Sequence, residues 1–259
     1  MADKYLKLRC SYMLMLFCSL TSLAQSRITD RNNIGWFATN ATFAVSNRFG
    51  IHTEYHWRRT DYGNEWQQGL LRVGVNYKYS NDILFRVGYV WAETYAYGDI
   101  PINGMGKDFT EHRIFTMAQL SNAVAQLLIS HRFMLEQRWV GRYSTADLDA
   151  EDNYIYTNRV RYMLRLQLPL YKDGPYVAAY NELFLGFGAN IGENIFDQNR
   201  VGLLIGYQFN KNFRAEGGYL NQTVQLGREV NGENVFQKNN GFIVTGIFNF
   251  DLRKTKAVK

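Results

Sequence analysis

The sequence is poor in several features that usually announce a function. Cysteine occurs twice, at Cys10 and Cys18, proline three times and histidine four times in 259 residues. No stretch reaches the ~18 uninterrupted apolar residues of a membrane-crossing helix. Neither sign of charge dominates: 29 Lys and Arg stand against 23 Asp and Glu, a formal charge of +6. These shortages exclude a disulfide scaffold, a bundle of transmembrane helices and a nucleic-acid surface. No Gly-rich loop follows a strand and opens a helix, so nucleotide binding has no support. There is no low-complexity linker and no domain boundary.

Aromatic residues are abundant. The chain has 18 Tyr, 17 Phe and 5 Trp, yet its mean hydropathy is only −0.31. That mixture suits strands with one greasy and one wet face.

The first 24 residues read as an address. Lys4, Lys7 and Arg9 form a basic start, and Cys10 to Leu23 carries no charge. Ser22-Leu23-Ala24 offers small residues to a signal peptidase, which predicts cleavage before Gln25. Leu16-Phe17 ahead of Cys18 disfavours a lipoprotein anchor. Residues 1–24 are therefore expected to be a signal peptide and 25–259 a single barrel domain. Cleavage removes both cysteines, and with them thiol catalysis and cysteine metal sites.

The remainder has period two. In FGIHTEYHWRR, Phe49, Ile51, Thr53, Tyr55 and Trp57 share one face, while Gly50, His52, Glu54, His56 and Arg58 share the other. The same alternation runs through 127–142, 154–168 and 242–251, and more weakly through 35–46, 67–79, 84–94, 111–121, 176–187, 199–209 and 213–225. Many of these stretches have about the length of a tilted membrane-spanning strand, ~9–11 residues. Short turns at 46–48, 80–82, 121–122, 172–174 and 210–212 alternate with longer polar loops at 60–66, 95–110, 143–153, 188–198 and 226–240. Short periplasmic turns alternating with long external loops mark an outer-membrane barrel. Eleven strands are visible. Because such barrels usually have even counts, a short extra strand within 25–34 predicts twelve antiparallel strands, with ten to fourteen allowed. Trp57, Tyr77, Tyr79, Tyr89, Trp91, Trp139, Tyr156, Tyr162 and Tyr207 fall on the greasy faces as an interfacial aromatic belt. The terminal Phe248-Asn249-Phe250 has the aromatic character that barrel assembly machinery recognises.

If the greasy faces meet lipid, the opposite faces line a lumen. Its bases are Arg58, Arg72, Lys78, Arg86, Arg113, Arg132, Arg138, Arg159, Arg161, Arg165, Arg200 and Arg214; its acids are Glu54, Glu111, Glu136, Glu182 and Glu216. Unpaired charges are costly to bury, so either water enters or the charges interlock. A structural ladder and a narrow anion-preferring pore are both open readings, because a positive lumen concentrates anions.

Several motifs resemble, in order along the chain, an uncharacterised family of outer-membrane β-barrel proteins typical of Bacteroidota, domain of unknown function 2490. They are Gly35-Trp36, FGIHTEYHWRR, EHRIF at 111–115, SHRFMLEQRW at 130–139, YNELF at 180–184 and GYLNQ at 218–222. The resemblance implies a barrel in the bacterial outer membrane and carries no activity to any residue.

Two other function classes stay open: a lipid-modifying hydrolase of the outer membrane, and a soluble periplasmic β-barrel binding module. The hydrolase would need a serine beside a histidine. His131 is next to Ser130, but neighbours in a strand point to opposite faces. His52, Glu54 and His56 share a face but span roughly 13 Å of strand, too far for one metal ion without a bulge. The acidic loop 148–153 is read as solvated. No catalytic, cofactor-binding or metal-binding residue is assigned, and no cofactor is expected. The expected partners are the outer-membrane bilayer and the assembly machinery.

Overall fold

The computed structural model describes residues 27–171 and 174–253. The expected signal peptide, most of the basic tail and part of the turn at 172–174 lie outside the described residues. Eleven strands follow one another: β1 (Arg27–Ala44), β2 (Phe49–Thr60), β3 (Glu65–Lys78), β4 (Ile83–Thr94), β5 (Phe109–Val124), β6 (Leu127–Arg142), β7 (Asn153–Pro169), β8 (Pro175–Phe187), β9 (Phe196–Asn210), β10 (Phe213–Val230) and β11 (Glu233–Asp251). Consecutive strands pair antiparallel, and the sheet closes as β1 pairs with β11. Closure leaves no unpaired edge, which a strand surrounded by lipid cannot tolerate.

The expected fold class is therefore the observed one, an all-β closed barrel, but the count is eleven rather than twelve. Residues 27–34 form no separate strand. β11 begins as early as Glu233, so it offers β1 a partner along its whole length, from Arg27 opposite Asn234 to Ala44 opposite Asp251. The seam is parallel, as an odd number of alternating strands requires.

Two connections also differ from the sequence reading. β5 continues past Ser121-Asn122 to Val124, where Ala125-Gln126 makes the turn. The expected loop 226–240 is instead a tight hairpin. Asn231 and Gly232 have φ of 53° and 76°, the two positive values that a two-residue type I′ turn demands and that Asn-Gly supplies.

The outer wall is apolar. Ile205 is 70% exposed, Phe209 57% and Leu203 56%, a degree of greasy exposure that marks a lipid or partner surface. Trp57, Trp66 and Tyr95 form a tilted run near the end with the longer loops, with ring centroids 6.0 and 5.2 Å apart. At the opposite end, Phe209, Phe213, Phe248 and Phe250 stack in sequence. Aromatic girdles at both interfaces are the pattern of membrane barrels.

The inner wall is mixed. Besides charges it carries an apolar patch of Leu70, Val90, Ala92, Phe115, Met117 and Met134. Inward glycines make room for large side chains. A Cβ at Gly202 would collide with the ring of Tyr180, and one at Gly206 with the ring of Tyr176.

Candidate functional site in the barrel lumen

Because alternate residues face inward, acids and bases from nearly every strand meet at mid-height. Glu136 on β6 is 0% exposed. It accepts hydrogen bonds from Arg159 Nε and Nη2 at 2.8 and 2.5 Å and from Arg161 Nη1 at 2.7 Å. Glu182 on β8 accepts from Arg161 Nη2 at 2.7 Å and Arg132 Nη2 at 2.8 Å. Glu54 on β2 pairs with Arg72, with Arg86 at 3.3 Å, and with His52 and His56 at 2.9 and 3.4 Å. The two histidines thus flank one carboxylate. Charge-assisted and multidentate bonds of this kind are the strong ones, and Arg suits them because its planar fork reaches two acids at once.

Aromatic rings complete this belt. The guanidinium of Arg72 lies 5.2 Å from the Phe115 ring centre, and those of Arg161 and Arg200 lie 4.5 and 4.6 Å from that of Phe184. Cation–π contact strengthens when both partners are dry.

Toward the end with the short turns, Glu216 on β10 takes Arg165 at 2.6 Å and the Tyr176 hydroxyl at 2.9 Å. Arg214 also has no partner for its buried Nε. Toward the other end, Glu111 on β5 takes Arg113 at 2.7 Å and Arg138 at 2.5 Å.

Above the belt the lumen opens into a cavity of about 200 Å³. Seven arginines line it (Arg58, Arg113, Arg138, Arg142, Arg159, Arg200 and Arg228) against two carboxylates, Glu111 and Asp197. The pairing here is incomplete. Arg58 is 6% and Arg200 8% exposed, and the Nε of each, like those of Arg142 and Arg228, is buried without a partner among the described residues. Arg58 and Arg200 lie 4.1 and 5.0 Å from the Trp36 ring, whose indole N–H donates to Gln67. Buried N–H groups without acceptors are rare and costly.

The loop 95–108 crosses this mouth from β4 to the far wall. The Tyr97 hydroxyl donates to Gln237 Oε1 at 2.8 Å and accepts from Asn239 at 3.1 Å. The Ile100 amide donates to Asp30, and Arg228 donates to the Pro101 carbonyl. The acidic loop 148–153 is likewise tied down locally. Glu151 accepts from the Thr110 amide, and hydrogen bonds from Ser144 hold Asp152 below the usual carboxylate range. Among the described residues no cluster of His, Cys, Asp or Glu could hold a metal ion.

The thirteen residues expected to line the lumen (Glu54, Arg58, Arg72, Arg113, Arg132, Glu136, Arg138, Arg159, Arg161, Arg165, Glu182, Arg214 and Glu216) all lie in inward positions; the polar contacts of all but Arg58 and Arg214 run to acids or bases. Sequence reasoning missed Asp197, Trp36 and Arg228. Asp197 binds Arg159 at 2.5 Å, although strict alternation from Arg200 would turn it outward. A register shift between Phe184 and Leu185 brings Asp197 and Gln198 inward together. Ser130 faces Ser121 across the lumen wall at 3.1 Å, whereas His131 meets Tyr162 on the outer face at 2.9 Å. They do not meet.

Comparison with known proteins adds the following. The family model described as "Protein of unknown function (DUF2490)" matches residues 33–232. No curated protein matches. Among solved structures, a NanC porin in a rhombohedral crystal form is similar at 14% identity and TM-score 0.45, covering 80% of this chain and 93% of that one. A KdgM porin is similar at 13% identity and TM-score 0.37, covering 71% and 81%.

Proposed function

This chain belongs to the DUF2490 family, whose description assigns no activity, and from that premise we propose that it is an outer-membrane barrel working as a narrow, anion-preferring pore. The observation that carries this reading is the imbalance in the upper cavity: seven arginines against two carboxylates, with the Nε groups of Arg58 and Arg200 unpartnered. A narrow lumen with low-dielectric walls focuses such an excess into a potential that concentrates anions. The belt at Glu136 is the constriction, and the loop 95–108 narrows the entrance. Eleven strands lie between the roughly 8 whose interior side chains fill and the 16–18 that leave an open channel.

The test is reconstitution in planar bilayers under a potassium chloride gradient. Small conductance steps with a reversal potential favouring chloride are expected. Cation preference, or silence from protein verified as a folded barrel, would reject the pore.

One observation favours a second reading. Glu136 is wholly buried and Arg159 is 3% exposed, so the belt fills the cross-section at its own level. A rigid barrel closed by its own ion pairs would give that silence.

A further inference from the structure

The strand ends that rise beside the seam carry charges that nothing in the fold uses. On β1, residues 27, 29, 31 and 33 face out and Asp30 faces in. On β11, Phe236, Lys238 and Asn240 face out alongside them. The parallel register sets Arg31 directly beside Lys238, on strands roughly 5 Å apart. Like charges side by side on one face of a sheet repel. Among the described residues, neither forms a salt bridge. Arg27 stands two layers further up, its guanidinium 5.5 Å from the Phe236 ring of the layer between.

The layers below fix the height of this group. Above the pair, Phe236 packs on Phe196 with ring centroids 6.3 Å apart; below it, Phe242 and Tyr219 form the nearest aromatic layer of the outer wall, with Phe37 one step lower. Next come Asn33, Asn240 and Asn221, with Asn240 accepting from both Tyr219 and Asn221. The cations follow. Two steps of two residues, at about 3.3 Å per residue, place them about 13 Å along the strands above the aromatic layer, and strand tilt of ~40° reduces that to roughly 10 Å. Headgroups occupy the first ~5–8 Å beyond the hydrocarbon, and Arg and Lys side chains reach back toward it.

We propose that Arg31 and Lys238, flanked by Arg27, form a binding site for the phosphate of a lipid headgroup in the outer leaflet. The anion would sit between the two cations, cancel their repulsion, and take hydrogen bonds from a guanidinium and an ammonium together. The acyl chains of the same lipid would lie on Phe37 and Phe242. The site rests on the membrane placement given above but not on conduction, because it faces away from the lumen.

The experiment uses full-length protein in detergent, titrated with diphosphoryl lipid A, monophosphoryl lipid A and phosphatidylcholine, with bound lipid counted by native mass spectrometry. Diphosphoryl lipid A should bind most tightly and phosphatidylcholine least. Arg31→Gln with Lys238→Gln should weaken lipid A binding about tenfold or more, while Arg31→Lys should retain it. Heat-modifiable mobility on gels verifies that each variant is folded. Equal binding by the double variant, or displacement of the lipid by millimolar inorganic phosphate, would assign the lipid to another surface or to the lumen and overturn the site. Release of the protein from membranes by alkaline carbonate would overturn the membrane placement separately.

Discussion

The belt and the cavity above it are built from the same side chain and behave oppositely. At the belt, Arg159 and Arg161 share Glu136, and each has a second carboxylate, Asp197 and Glu182. In the cavity, among the described residues, Arg58 reaches the amide of Gln68 and no acid, and Arg200 reaches that of Gln198, with Glu182 no closer than 3.9 Å. Burial is similar in both places, so depth does not distinguish them. The supply of acids does. Where carboxylates match guanidiniums the interior is fully paired; where they run short it leaves buried donors without acceptors.

The sharpest way to break this contrast is to remove the acid at its centre. Glu136→Ala leaves Arg159 and Arg161 with one carboxylate each, Asp197 and Glu182, and loss of one partner of a buried pair costs about 3–5 kcal/mol. Urea unfolding in detergent should show that loss, with the heat-modifiable form melting early. A charge on the lipid face should cost somewhat less: Leu203→Arg, near mid-height, is expected to lower stability by about 2–4 kcal/mol in the same assay. Loosening the mouth comes next. Tyr97→Phe removes the hydroxyl shared by Gln237 and Asn239, at about 1–3 kcal/mol for the buried groups left unpaired. Single-channel recordings should show larger and noisier conductance. Arg58→Gln with Arg142→Gln should scarcely change stability, since neither arginine has an acid partner among the described residues, but should shift the reversal potential toward zero. Asp152→Asn, on the rim, should leave selectivity unchanged.

The strands were legible because one physical rule repeats through them. Alternation placed Glu136, Arg159 and Arg161 on a common inner surface without any knowledge of pairing. β2 and β6 run over nearly the residues that periodicity assigned them. What stayed hidden breaks that rule or depends on distant chain. Asp197 sits inward only through a register shift in its pairing with β8. The hairpin at Asn231-Gly232 was written in its turn residues, but polar side chains on both faces of 226–240 disguised the strands around it. The path of the loop 95–108 depends on Gln237 and Asn239, more than 130 residues away. The apolar patch around Phe115 was obscured because its members occupy inward positions otherwise given to charge.

The parallel seam has a consequence for the order in which the molecule is made. Ten of its eleven strand contacts join neighbours in the chain and can zip from a hairpin. The eleventh joins Arg27 to Asn234, residues separated by nearly the whole polypeptide, and closing so long a loop is slow because its entropy is lost before any contact rewards it. Until β11 arrives, β1 presents eighteen residues of open backbone. A chain that pairs neighbouring strands first therefore carries that open edge until β11 reaches it, and the barrel closes by the meeting of its two ends.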